Sequence, residues 1–174
     1  MRARSSARVL VGITAVALIS AGCGGAKPGP AESSTTTQAA ESAPPSAQQI
    51  ARFGTSVDIA APSGTASYTV DNLQPVPPDA QIIPAKGTMF AVDVTIVAKT
   101  GTTAYNGFYF VARAADGSTI APAVGAVRPG ITSGQLPQGQ QIAGHVAYDV
   151  PQGQTISAIA FRDPQGKTLA VWAG

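Results

Sequence analysis

From about residue 55 onward the chain alternates apolar and polar positions with a period of two. In residues 88–99 (TMFAVDVTIVAK), Phe90, Val92, Val94, Ile96 and Ala98 fall on one side. Ala91, Asp93, Thr95, Val97 and Lys99 fall on the other. Successive side chains of an extended backbone point to opposite faces, so this alternation predicts a strand with one face buried. Residues 141–150 repeat the scheme, with Ile142, Gly144, Val146, Tyr148 and Val150 opposite Gln141, Ala143, His145, Ala147 and Asp149. Shorter strands are predicted at 67–73, 107–114, 119–123, 155–161 and 168–172, with 55–59 as an edge strand. Turn chemistry separates them. Asp116-Gly117 is a two-residue hairpin signal, since both central residues must accept positive φ. Asp163-Pro164-Gln165-Gly166 suits a type I turn, with Pro second and Gly fourth. Lys99-Thr100-Gly101 and Pro137-Gln138-Gly139 read as further stops. No stretch of ten residues shows helical periodicity free of Gly and Pro. The expected fold is therefore all-β, an antiparallel sandwich over residues 50–174. Within it Phe108 and Phe110 share a face and are expected in the core, Tyr109 faces the other way, and Trp172 is expected to plug the core.

The N-terminal part follows different rules. Residues 1–8 carry Arg2, Arg4 and Arg8, residues 9–19 (VLVGITAVALI) are apolar, and Ser20-Ala21-Gly22 are small. This is the three-part build of an export signal, and eleven apolar residues fall short of the roughly 20 that a spanning helix needs. Cys23, the sole cysteine, follows at once. Residues 18–23 (LISAGC) resemble a bacterial lipobox. The resemblance implies a diacylglyceryl group on the thiol, cleavage between Gly22 and Cys23, and Cys23 as the lipidated N-terminus. Two or more acyl chains would anchor the protein stably to a membrane. Lipoboxes usually carry Leu or a similar aliphatic three residues before the cysteine, and here Ser20 stands there. Ordinary cleavage at the same bond, leaving a soluble secreted protein with a free thiol, is the alternative.

Residues 24–49 (GGAKPGPAESSTTTQAAESAPPSAQQ) hold no aliphatic side chain larger than Ala and no aromatic. Such a stretch buries too little apolar surface to offset chain entropy, which predicts a disordered tether. Its ends would lie about 25–30 Å apart as a flexible coil and up to about 90 Å apart when stretched. The Ser33–Thr37 run is either a plain spacer or a site of O-glycosylation. The chain thus divides into a lipoprotein signal peptide at 1–22, a lipidated cysteine and tether at 23–49, and a sandwich domain at 50–174.

Composition narrows the chemistry. Only 11% of the 174 residues are charged, whereas 44% are hydrophobic; an ordinary soluble domain is about one-quarter charged. One cysteine excludes a disulfide scaffold, and one His with one Cys excludes an ordinary His/Cys metal centre. The net charge of +2 belongs to the leader: beyond residue 22, eight basic residues face nine acidic ones. From Ile50 onward seven Lys and Arg face seven Asp and no Glu, so there is no basic stripe for nucleic acid. No clustered acids suit calcium, Met89 and His145 alone do not make a copper site, and no phosphate-binding Gly-rich loop precedes a helix. No cofactor is expected.

Two sets of residues remain as candidates. His145 shares a strand face with Asp149, about 13 Å away at about 3.3 Å per residue, so any carboxylate partner must come from across the sheet. No G-x-S-x-G elbow supplies a nucleophile for it. Tyr105 and Tyr109 lie at the start of the 107–114 strand and form a candidate surface for stacking on a sugar or peptide.

Several of these segments resemble one known family. Phe110-Val111-Ala112-Arg113-Ala114-Ala115-Asp116-Gly117, Leu136-Pro137-Gln138-Gly139, Gly144 with Tyr148-Asp149-Val150, and Leu169-Ala170-Val171-Trp172 stand in the order and spacing of the small secreted immunogenic proteins of mycobacteria, the MPT/MPB type. The resemblance runs from Ser67 to Trp172. It implies an immunoglobulin-like β-sandwich and an exported protein, and it implies no reaction, since the family has no settled enzymatic activity. That family tends to place two adjacent aromatics before Asp-Val, whereas Ala147 precedes Tyr148 here. Its best-known members are freely secreted, whereas this chain carries a lipobox-like cysteine. The expected function is an exported, lipid-anchored envelope protein that presents a non-catalytic immunoglobulin-like domain for binding or display. A module for cell-wall glycan or a small ligand, using Tyr105 and Tyr109, is the first alternative, and a weak hydrolase using His145 is the second.

Overall fold

The computed structural model describes residues 47–174. Ten strands run through them: β1 Gln49–Arg52, β2 Ser56–Ala61, β3 Gly64–Pro75, β4 Thr88–Asn106, β5 Phe110–Ala114, β6 Thr119–Ile120, β7 Ser133–Pro137, β8 Gln141–Val150, β9 Ile156–Arg162 and β10 Thr168–Ala173. One sheet has the order β1-β10-β9-β5-β6. The other runs β2-β3-β4, with both β7 and β8 along the far side of β4. Strand pairing is antiparallel except between β1 and β10. The alternating segments are thus strands with one face turned to the opposite sheet, as an antiparallel sandwich requires.

Three local expectations need correction. The stop at Lys99-Thr100-Gly101 does not end a strand, because β4 continues to Asn106. Gly101 takes φ 64°, and the pairing register with β3 shifts between Thr65 and Ala66. This is a bulge, which bends a strand without ending it. Before the bend β4 pairs with β8, and after it with β7. β7 itself (SGQLP) escapes the alternation pattern because Leu136 is its one buried side chain. β1 begins at Gln49, one residue inside the expected tether, and carries no buried residue that could mark it.

The core lies between the sheets. Trp172, Tyr148, Phe110, Ile96 and Ile159 are among its fully buried side chains. Tyr68, Phe110 and Phe161 form an aromatic cluster with centroids 4.5–6.3 Å apart, within the range where aromatic pairs attract. The polar ends of Tyr148 and Trp172 are paired. The Tyr148 hydroxyl donates across the sandwich to the Phe110 carbonyl at 3.3 Å, and Trp172 Nε1 donates to the Thr55 carbonyl at 2.8 Å. Burial pushes the Tyr148 hydroxyl far above its ordinary pKa, so it stays a donor. A second cluster on the outer face of β4 and β8 joins Met89, Ala91 and Ala147 to Ala126 and Val127 of the long β6–β7 loop.

Asp149 ties β8 to the loop before β4. Its two carboxylate oxygens accept the backbone N–H groups of Lys86 (2.9 Å) and Gly87 (2.8 Å). These two bonds, Lys86 first, hold its pKa below the ordinary value. A carboxylate whose folded-state pKa is depressed contributes stability above the ordinary carboxylate range and loses it as pH falls through and below that range. Asp149→Asn would turn an amide N–H₂ toward one of those N–H donors. We expect a loss of about 1 kcal/mol at pH 7, kept small by solvent exposure. In urea titrations the gap between variant and parent should close at acid pH; a gap independent of pH would refute the clasp.

Candidate functional site

The lone imidazole sits on the outer face of β8. Its Nδ1 lies 2.7 Å from Asp93 Oδ1, in the register-paired residue of β4. Asp93 Oδ2 in turn accepts from Asn72 Nδ2 at 3.0 Å. The acid that orients His145 is therefore the cross-strand Asp93, while Asp149 is committed to the Lys86–Gly87 clasp. The backbone of His145 also anchors the β6–β7 loop, donating to the Pro129 carbonyl (2.7 Å) and accepting from the Ile131 N–H (2.9 Å). A triad needs a hydroxyl nucleophile on the far ring nitrogen, and among the described residues no Ser or Thr hydroxyl is bonded to the ring. Among the described residues no three His, Cys, Asp or Glu side chains converge on a point where a metal could sit. The arrangement can hold an imidazole in one orientation and pin a loop.

The aromatic run at 105–110 is arranged differently from the alternation reading. Residues Gly107–Tyr109 form a 3-10 turn, with Asn106 Oδ1 accepting the Phe108 N–H at 3.0 Å. That turn takes three residues out of the strand period. Phe110 stays fully buried, but Phe108 is 60% exposed, which corrects its expected place in the core. Tyr109 packs edge-on against Phe161, with centroids 6.2 Å apart. Tyr105 is half-buried on β4 and lies over Gly134 of β7.

Tyr109 lines a cleft at one end of the sandwich, where the inner faces of the two sheets part. The cleft has a volume of about 390 Å³, inside the roughly 300–1,000 Å³ range of small-molecule sites. Its walls come from the β2–β3 hairpin, the β9–β10 hairpin and the last part of β4, and Ile59, Tyr68, Phe161 and Leu169 form its apolar lining. Tyr105 is not part of it. The cleft also takes in Thr103 and Arg162. Both were missed in the sequence: Thr103 lies beyond the presumed stop at Gly101, and Arg162 looks like any charged residue at a strand end. Burial pushes the Tyr68 hydroxyl up to about 12, with no hydrogen bond contributing to the rise. Cys23, the cleavage site at Gly22–Cys23 and the tether lie outside the described residues.

The profile of a domain family of unknown function, DUF1942, matches residues 48–172, well over half of the chain. The chain belongs to the DUF1942 family. Its sandwich is similar to that of MPT63, a secreted protein from Mycobacterium tuberculosis, with a TM-score of 0.67 and 20% identity over 75% of this chain and 100% of that one. The yjhA protein from Bacillus subtilis aligns at 15% identity over 64% of this chain and 81% of its own, with a TM-score of 0.48. No curated protein matches the chain. The MPT-type resemblance and the immunoglobulin-like sandwich that it implies therefore hold. In this DUF1942 member the segments that carry the resemblance build the frame. Phe110–Ala114 is β5, Leu136 and Tyr148 pack in the core, and Leu169–Trp172 lies in β10. The cleft residues Tyr68 and Thr103 are core-facing positions that those segments leave out.

Proposed function

We propose that this protein is exported, is held at the outer face of the cell membrane by lipid on Cys23, and presents its sandwich as a non-catalytic binding module. The observation that carries the anchor is the position of the only cysteine, directly after a basic, apolar and small-residue leader. The similarity to a secreted protein supports export. The non-catalytic reading is supported by His145: Asp93 orients the ring, and no nucleophile completes it among the described residues. Binding is favoured by the cleft, which is large enough for a small ligand and lined mostly by apolar side chains.

The test is phase partition and intact mass in a bacterial host that lipidates exported proteins. The parent protein should enter the detergent phase, and its mature N-terminal mass should carry a diacylglyceryl cysteine. Cys23→Ala should move it into the aqueous phase or the medium. Native parent protein recovered wholly from water with an unmodified terminal thiol would overturn the anchor.

A further inference from the structure

Among the described residues only two buried side-chain nitrogen or oxygen atoms lack a hydrogen-bond partner, Thr103 Oγ1 and Arg162 Nε. Both residues line the same cleft. Buried polar atoms are nearly always paired, and one left unpaired costs the full desolvation of that group. Both atoms are sealed from water, so a partner in the cleft pairs with them as the side chains of Thr103 and Arg162 turn toward it.

The chemistry of the cleft narrows that partner. A guanidinium cannot shed its proton and offers donors only, so Arg162 calls for an acceptor, best an anionic one. No ion pair holds Arg162 among the described residues. The neighbouring acid is Asp163, and its Oδ1 is taken up by the turn, where it accepts the N–H groups of Gln165 (3.0 Å) and Lys167 (2.8 Å). The Thr103 hydroxyl belongs to a side chain only 7% exposed. Tyr68, whose hydroxyl remains protonated at physiological pH, adds a third polar group to the wall. The remaining surface, from Ile59, Phe161 and Leu169, suits an alkyl chain or an aromatic ring.

We propose that the cleft between the β2–β3 and β9–β10 hairpins binds a small carboxylate with an apolar body, a medium-chain fatty acid or an aromatic acid, through Arg162 and Thr103. The proposal rests on the binding part of the function given above and is independent of the lipid anchor. The carboxylate accepts from the guanidinium and the hydroxyl, and the apolar body lies between the sheets.

The experiment uses the full mature chain carrying Cys23→Ala, so that no detergent competes for the cleft. Octanoate, 1-octanol and octane are titrated and followed by NMR shifts of the Ile59 and Leu169 methyl groups. Octanoate should give saturable shifts at these residues and bind at least tenfold more tightly than octanol. Arg162→Met keeps the bulk and removes the charge, so it should erase that tenfold preference by weakening octanoate far more than octanol. Thr103→Val is nearly isosteric; it should raise thermal stability by removing an unpaired hydroxyl while weakening both octanoate and octanol severalfold. Absence of saturable shifts in the folded parent overturns the site. Octanol binding as tightly as octanoate, or octanoate binding indifferent to both substitutions, overturns the assignment of the head group. Cleft failure with intact partition into detergent would leave the anchor standing, and loss of the anchor with octanoate still bound would leave the cleft standing.

Discussion

Trp172→Ala should lower the stability of the domain by about 3–5 kcal/mol, the usual range for truncating a large buried aromatic. Trp172 is fully buried and comes from the last strand, so it fills the interior from the chain's end. The substitution also strands the Thr55 carbonyl, which accepts from Nε1 at 2.8 Å. That loses a part-buried hydrogen bond on top of the cavity term. Natural domains are stable by about 5–15 kcal/mol, so much of the total would go. The midpoint should fall by roughly 10 °C or more, taking a few degrees per kcal/mol for a domain of this size. Trp172→Phe should recover part of the packing and none of the hydrogen bond, and so fall between the two. Thermal and urea unfolding followed by circular dichroism would measure all three proteins; a midpoint for Trp172→Ala within a degree or two of the parent would show that the interior does not depend on this ring.

Gly64→Ala should cost about 3 kcal/mol or more, because a glycine-only backbone conformation at about 1–3 kcal/mol is combined with a backbone clash. Gly64 takes φ 151°, and a Cβ placed there would lie 2.0 Å from the Thr100 carbonyl oxygen. The obstacle is backbone, and a rotamer change cannot relieve it. Gly101, paired with Gly64 across β3 and β4, meets the Ser63 carbonyl oxygen at 2.1 Å in the same way. The two glycines let the β2–β3 hairpin and the bulge of β4 pass each other closely. Changing both should cost less than the sum of the single changes, since the first already separates the strands. Gly117→Ala is the control: its φ is 85° and nothing lies within 4 Å of the added carbon. It should cost only about 1 kcal/mol, the strain of positive φ alone. Equal urea midpoints for Gly64→Ala and Gly117→Ala would refute the close-packing account. Gly64 also lines the cleft, so Gly64→Ala should disturb octanoate binding where Gly117→Ala does not.

Strand residues with one buried face were legible because burial on one side writes itself into every second position. β8 was placed to the residue at both ends, and the long alternating part of β4 was found for the same reason. The hairpin between β5 and β6 was legible from Asp116-Gly117, but its turn sits one residue earlier than expected: the Gly117 N–H donates to the Ala114 carbonyl at 3.0 Å, so Ala115 and Asp116 are central and Gly117 alone takes positive φ (85°). There the Asp116 carboxylate accepts both the hydroxyl and the backbone N–H of Ser118, and those bonds hold its pKa below the ordinary value. Phe108 was misplaced because the 3-10 turn at Gly107–Tyr109 arises from an Asn106 cap and not from an apolar period. β1 was invisible because its stability comes from parallel pairing with β10 at a distance of more than a hundred residues.

The sequence by itself determined the class of fold and the place of the single cysteine and single histidine, because each of these is a matter of local pattern or count. The partner of His145, the bulge that carries β4 past Gly101, and the meeting of Thr103 with Arg162 at one cleft were decided only by the tertiary structure. These depend on register between strands far apart in the chain. Register is set by the packing of both sheets at once, and no single stretch of residues contains it.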